Sequence, residues 1–230
     1  MGWKIAAERF MTSRILCLLG IGLYCLSACA APAPPPATAA EAPPPAIPVQ
    51  WRAIARPEHA GLIDGLPDRW AAARAGLGKS RQALVASFGA LLEPGAALVR
   101  PMPPTGRYRC RTLRFAPDRP GGFQAYQSWF CFVGDDGDLT TLSKADGSDR
   151  PAGRLWPDGD RRMVFIGATA FDAEPAPPAY GDRAEADTVG VVERVADFQW
   201  RLVLPRGAAG LDVLELVPDV PPPLPAGTAR

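Results

Sequence analysis

From Gly106 onward the sequence is a succession of short runs rich in β-branched and aromatic residues. GRYRCRTLRF, FQAYQSWFCFV, DLTTL, RLW, RRMVFIGAT, TVGVVERV, FQWRLVLP and LDVLELVP are separated by turn formers such as APDRPGG, KADGSDRPAG and PDGD. Runs this short, with turns at this spacing, fit neither a helical bundle nor a parallel sheet with crossover helices. They predict a mainly antiparallel β domain, barrel-like or a sandwich. The alternation has period two: Phe198, Trp200, Leu202 and Leu204 point one way, Gln199 and Arg201 the other.

Two cysteines fix the first hairpin. Cys110 and Cys131 flank the turn-rich APDRPGG, and in an oxidising compartment such a pair reads as a disulfide. If the two cysteines face each other, Phe115 opposes Tyr126, Arg111 opposes Phe130 and Arg109 opposes Phe132. One face is then apolar with the bridge, and the other sets arginines over aromatic rings. That second face is either a solvated surface with arginine stems lying on aromatics or an anion-binding wall inside a barrel.

Two helical stretches precede the hairpin. PDRWAAARAG has Pro67 in a first-turn position and Gly76 as a stop, and SRQALVASFGALLEP starts at a Ser80 cap with Leu84, Phe88 and Leu91 on one face. The expected fold class is therefore α+β, an N-terminal helical hairpin followed by the antiparallel domain.

Both ends of the chain are of another character. The apolar run Ile15 to Leu26 is about a dozen residues, short of the roughly 20 that span a bilayer, and follows Lys4, Arg9 and Arg14 as a signal peptide does. Met11 is an alternative start. Leu26-Ser27-Ala28-Cys29 resembles the lipobox of bacterial lipoproteins, which implies lipidation of Cys29 and a membrane partner reached through that lipid. Ala30 after the cysteine points to the outer membrane, so the expected location is the periplasmic face of the outer membrane in a bacterial envelope. The expected organisation is a leader over 1–28, a Pro/Ala-rich tether over 29–49, a single domain over 50–218 and a disordered tail over 219–230. Loss of three basic residues and one acidic residue with the leader changes the formal charge from +1 to −1, which predicts no nucleic-acid partner.

GRYRCR, Phe130-Cys131, ADGSDRPAG, AYGD at Ala179 to Asp182, GVVERV, QWRLVLP and LDVLELVP, with Arg69-Trp70 ahead of them, together resemble an exported bacterial family, domain of unknown function 4893. The resemblance runs from about Trp51 to Pro218 and implies export and one shared domain without implying an activity.

No catalytic motif is satisfied. ARAGLGKS departs from the phosphate-binding loop at Ala73 and follows a helix in place of a strand. Asp135, Asp136 and Asp138 lack calcium-loop spacing and read as a hairpin turn. His59, the single histidine, has no second histidine to share a metal, so no metal and no cofactor is expected. Glu193 and Arg194 lie on opposite faces of one strand, and an inward Glu193 near the arginines would make an ion pair. The leading expectation is a lipid-anchored ligand-binding module for a small amphipathic or anionic molecule, with walls from Arg109, Arg111, Tyr126, Phe130, Phe132, Glu193 and Trp200. The alternatives are a module that binds or inhibits an envelope protein, predicting a filled barrel with exposed aromatic loop tips, and an envelope hydrolase using Asp182, Asp187 or Glu193.

Overall fold

The computed structural model describes residues 50–220. The expected leader, Cys29, the tether and the tail from residue 221 lie outside the described residues. Eight strands, β1 (Gly106–Phe115), β2 (Phe123–Asp136), β3 (Leu139–Lys144), β4 (Asp149–Asp158), β5 (Arg162–Phe171), β6 (Asp187–Ala196), β7 (Gln199–Arg206) and β8 (Gly210–Pro218), run up and down in chain order. Each pairs antiparallel with the next, and β1 pairs with β8 from Tyr108↔Pro218 to Phe115↔Leu211. That last pairing closes the sheet into a barrel and rules out a sandwich.

Period-two alternation on a closed sheet produces two cores. One, including Tyr108, Cys110, Cys131, Leu142, Leu155, Phe165, Val192, Leu202 and Leu214, draws a buried residue from every strand, which only the lumen allows. The other joins outward residues of β1, β2 and β5 to β8, among them Leu113, Phe123, Val164, Val191, Val203 and Val213, to the helical segment. Gly153 and Gly167 face each other in the lumen-facing register. A Cβ on Gly153 would lie 2.4 Å from the Ile166 carbonyl oxygen, so only glycine permits this approach of β4 to β5.

Helices do precede the barrel: α1 (Trp51–Ile54), α2 (Pro57–Asp64), α3 (Leu66–Ala75) and α4 (Lys79–Ala86), then a 3-10 turn over Gly89–Leu92. A two-helix hairpin is not confirmed, since the segment is broken into short pieces. Pro57 and Pro67 open α2 and α3 from first-turn positions, where the missing N–H costs nothing. Gly78, not Ser80, occupies the N-cap of α4. α4 ends at Ala86, with Val85 in the core and Leu84 exposed, and Gly89 turns to φ +55° three residues later. Trp70 of α3 packs edge-on against Phe115 at 5.6 Å, and Phe115 meets Phe123 at 5.0 Å.

Cys110 and Cys131 form the expected disulfide, with Cα atoms 5.8 Å apart. The register is shifted by two from the expected one, however: Cys131 opposes Tyr108 and Cys110 opposes Trp129, so the bridge is diagonal. Arg109 therefore opposes Phe130, Arg111 opposes Ser128 and Phe115 opposes Phe123. A bulge follows Arg111, where Leu113 opposes Ala125.

Candidate functional site

The lower part of the lumen is filled. Tyr108 donates its hydroxyl to the Pro104 carbonyl at 2.6 Å and stands edge-on to Trp200, with Leu216 and the disulfide in the same core. The opposite end, bounded by the C-termini of β1, β3, β5 and β7, opens into a cavity of about 620 Å³. Leu204, Leu214, Pro151 and Phe171 give it apolar wall; Thr112, Thr169 and Thr188 add hydroxyls.

Asp118, Arg119, Glu185 and Asp187 also line it, and five further charged side chains form one cluster there. Arg114 donates from Nε to Asp212 Oδ1 at 2.7 Å and from Nη2 to Asp212 Oδ2 at 2.8 Å and Asp149 Oδ2 at 2.6 Å. Arg206 Nη1 reaches the same Asp149 and Asp212 oxygens at 3.1 and 3.2 Å. Two guanidinium groups and two carboxylates thus form a closed, neutral set. Burial acts to raise the Asp149 carboxyl, but the Arg114 hydrogen bond and the fields of Arg206 and Lys144 outweigh it and hold Asp149 below the ordinary aspartate range.

Lys144 is the fifth group. It is buried, and Nζ donates to the carbonyl oxygens of Asp146 at 2.5 Å and Asp149 at 2.8 Å. Burial pushes its pKa below the usual lysine value, opposed by Asp149 and reinforced by Arg150. The loop ADGS folds around this ammonium: Gly147 has φ +91°, and a Cβ there would lie 2.7 Å from Nζ. Arg150 fastens the loop by donating to the carbonyls of Gly147 and Asp172, each at 2.7 Å.

The residues expected to wall a pocket lie elsewhere. Arg109, Phe130 and Phe132 are on the outer face of β1 and β2, where Arg107 and Arg109 sit over the Phe130 ring at 5.0 and 5.1 Å and Phe132 is exposed. Tyr126 lies in the bulged part of β2 with Arg114 over its ring at 5.3 Å. Trp200 faces the lumen but in its filled part. Glu193 faces outward, and Arg194 shares the inward register of Val192. Glu193, Arg201, Glu215 and Arg111 stand side by side across β6, β7, β8 and β1. Arg201 binds Glu193 at 2.7 Å and Arg111 binds Glu215 at 2.5 Å. Arg201, 1% exposed, also donates to the carbonyls of Leu91 and Glu93 at 2.9 Å and lies over Trp70 at 5.3 Å. Glu193 is in an ion pair, but beneath the helical layer and not in a pocket.

Asp182, Asp187 and Glu193 do not meet. Asp187 accepts from Gly181 N at 2.8 Å and pairs with Arg56 at 3.0 Å. Six residues along β6 separate it from Glu193, about 20 Å. AYGD has a structural explanation: the Tyr180 hydroxyl accepts from Arg56 N at 3.0 Å and shares a 2.6 Å hydrogen bond with His59 Nδ1, tying the start of α2 to the β5–β6 loop.

The sequence reading missed Arg114, Lys144, Asp149, Arg206 and Asp212. Their signal was parity: Arg114 lies four residues from Cys110, Lys144 two from Leu142 and Asp212 two from Leu214, all in lumen register. The family model for the domain of unknown function DUF4893 matches residues 51–216. Comparison with curated proteins and with solved structures gave no match. A match over most of the chain, on the barrel and the helices that cover it, shows that this protein belongs to the DUF4893 family.

Proposed function

We propose that this protein is a ligand-binding module whose barrel mouth takes a small amphipathic anion. One observation carries the reading: a cavity of about 620 Å³, within the size range of small-molecule sites, has apolar wall beside four cations, Arg114, Arg119, Lys144 and Arg206, interspersed with five carboxylates. The cations suit a carboxylate, sulfonate or phosphate head, and Leu204 and Leu214 suit an apolar body. The mature chain is attached to the bacterial envelope through lipid on Cys29, and the Pro/Ala-rich segment after it holds the barrel away from the bilayer. Calorimetric titration with octanoate tests the site, with saturable 1:1 binding expected; no binding of octanoate, octyl sulfate or octyl phosphate would contradict it. Cys29→Ala tests the anchor by moving the protein from the membrane fraction into the soluble fraction.

A second reading, recognition of an envelope protein, draws on Phe198. This residue is 74% exposed at the β6–β7 turn and holds φ +56°, a conformation that disfavours an aromatic residue. Phe198→Gly would relieve that backbone and abolish capture of an envelope partner if the turn were the contact.

A further inference from the structure

We propose that the outer face of β8, β1 and β2 at the filled end of the barrel is a recognition surface for a proline-rich segment, and that its occupant is this chain's own Pro221 to Pro225. Two rows of side chains make the surface, because residues opposite each other share a face. Val217 opposes Arg109, which opposes Phe130, and in the next row Arg107 opposes Phe132. Asp219 completes the second row. Its N–H donates to the Arg107 carbonyl at 2.9 Å and its carboxylate pairs with the Arg107 guanidinium at 2.5 Å, so β8 stays fastened to β1 one residue past Pro218.

The helical layer covers β1 at Leu113 and Phe115 and β2 at Phe123, towards the mouth, and stops short of these rows. Phe132 and Val217 are accordingly 45% and 37% exposed. Arg109 lies over the Phe130 ring and has no carboxylate partner among the described residues. The surface thus offers an open aromatic ring beside a guanidinium that rests on a second ring and carries five N–H donors. A polyproline II segment matches both: its carbonyls form no internal hydrogen bonds, its rings pack against aromatic side chains, and its conformation is set before binding.

The path of the chain selects the occupant. Val220, exposed and beside Gly106 if the β8–β1 register continues, is followed directly by PPPLP. From there Phe132 is two strand spacings away across β1, about 10 Å. Four residues in polyproline II span about 12 Å. Pro221 to Pro225 therefore reach Phe132, and in crossing β1 they strap β8 to β2 over the one pairing that closes the barrel. The surface is separate from the mouth cavity, and neither depends on the other.

A nitroxide attached through Leu224→Cys, in the mature chain bearing Cys29→Ser, tests this by amide NMR. Phe130 and Phe132 signals are expected to lose intensity and to regain it when the nitroxide is reduced, while Gln199, on the other side of β8, keeps its intensity. A tail that does not dock would affect both sides alike, and equal losses at β2 and β7, or none at β2, overturn the proposal. Phe132→Ser, at an exposed position, is expected to abolish the asymmetry; an asymmetry that survives it overturns the surface. Replacing Pro221, Pro222, Pro223 and Pro225 by glycine should weaken the asymmetry, and no change would contradict recognition of polyproline II. In a mixture of isotope-labelled chain without nitroxide and unlabelled chain with it, no loss is expected. Loss there would place the segment on a second copy and overturn the assignment to the chain's own tail.

Discussion

The barrel wall carries charge on both faces, and the two sets differ in how completely they are satisfied. Outside, Glu193, Arg201, Glu215 and Arg111 alternate in sign across four neighbouring strands, and Arg201 also binds the carbonyls that end the helical segment. Inside, Arg114 and Arg206 are matched by Asp149 and Asp212, but Lys144 is added without a carboxylate at hydrogen-bonding distance. The outer set lies under the helical layer; the inner set borders a cavity. A saturated network fixes elements in place, whereas an unsaturated cation beside a cavity is suited to a further partner.

The largest effect should come from breaking the outer set. Arg201→Met strands Glu193 and leaves the Leu91 and Glu93 carbonyls without their donor, and urea unfolding should show a loss of about 3–5 kcal/mol. A loss below about 1 kcal/mol would mean that the outer network does not hold the helices to the barrel.

Replacing Cys110 and Cys131 together by serine should cost about 3 kcal/mol through the unfolded chain. Octanoate affinity should be retained, since the bridge sits in the filled part of the lumen, and a parallel loss of binding would show the two halves to be coupled. A smaller, pH-dependent effect comes from Tyr108, whose hydroxyl is pushed by burial from 10.0 up to about 12. The folded state keeps a proton that the unfolded chain releases, so the Tyr108 contribution is complete below pH 10 and is lost as pH rises towards 12. Absorbance at 295 nm should show a tyrosine titrating near 12 that Tyr108→Phe removes. Arg109→Ala should change least, about 0.5–1 kcal/mol from its contact with Phe130, with octanoate affinity unchanged. A drop in affinity would return the site to the outer face.

The strands were legible because alternation of period two survives in any antiparallel sheet, and the disulfide because its cysteines bracket a run of turn formers. Closure was not legible: it depends on Tyr108 meeting Pro218 across the whole domain, and nothing local to either residue records that pairing. The hairpin register was misplaced because a bridge joins diagonal neighbours as readily as opposite ones. That error, with closure unknown, turned Arg109, Arg111, Phe130 and Phe132 into a pocket wall. Lys144, Asp149 and Arg206 were passed over because they lie at strand ends, where charge usually means solvent. Only the closed barrel makes their inward parity meaningful.

The measurement closest to the central claim is the mass of the protein purified gently from bacterial membranes, recorded under native and denaturing conditions. The account predicts extra mass from one small anionic molecule in the native spectrum alone, absent after denaturation. Native and denatured masses that agree, in a protein that also fails to retain added octanoate, would contradict it.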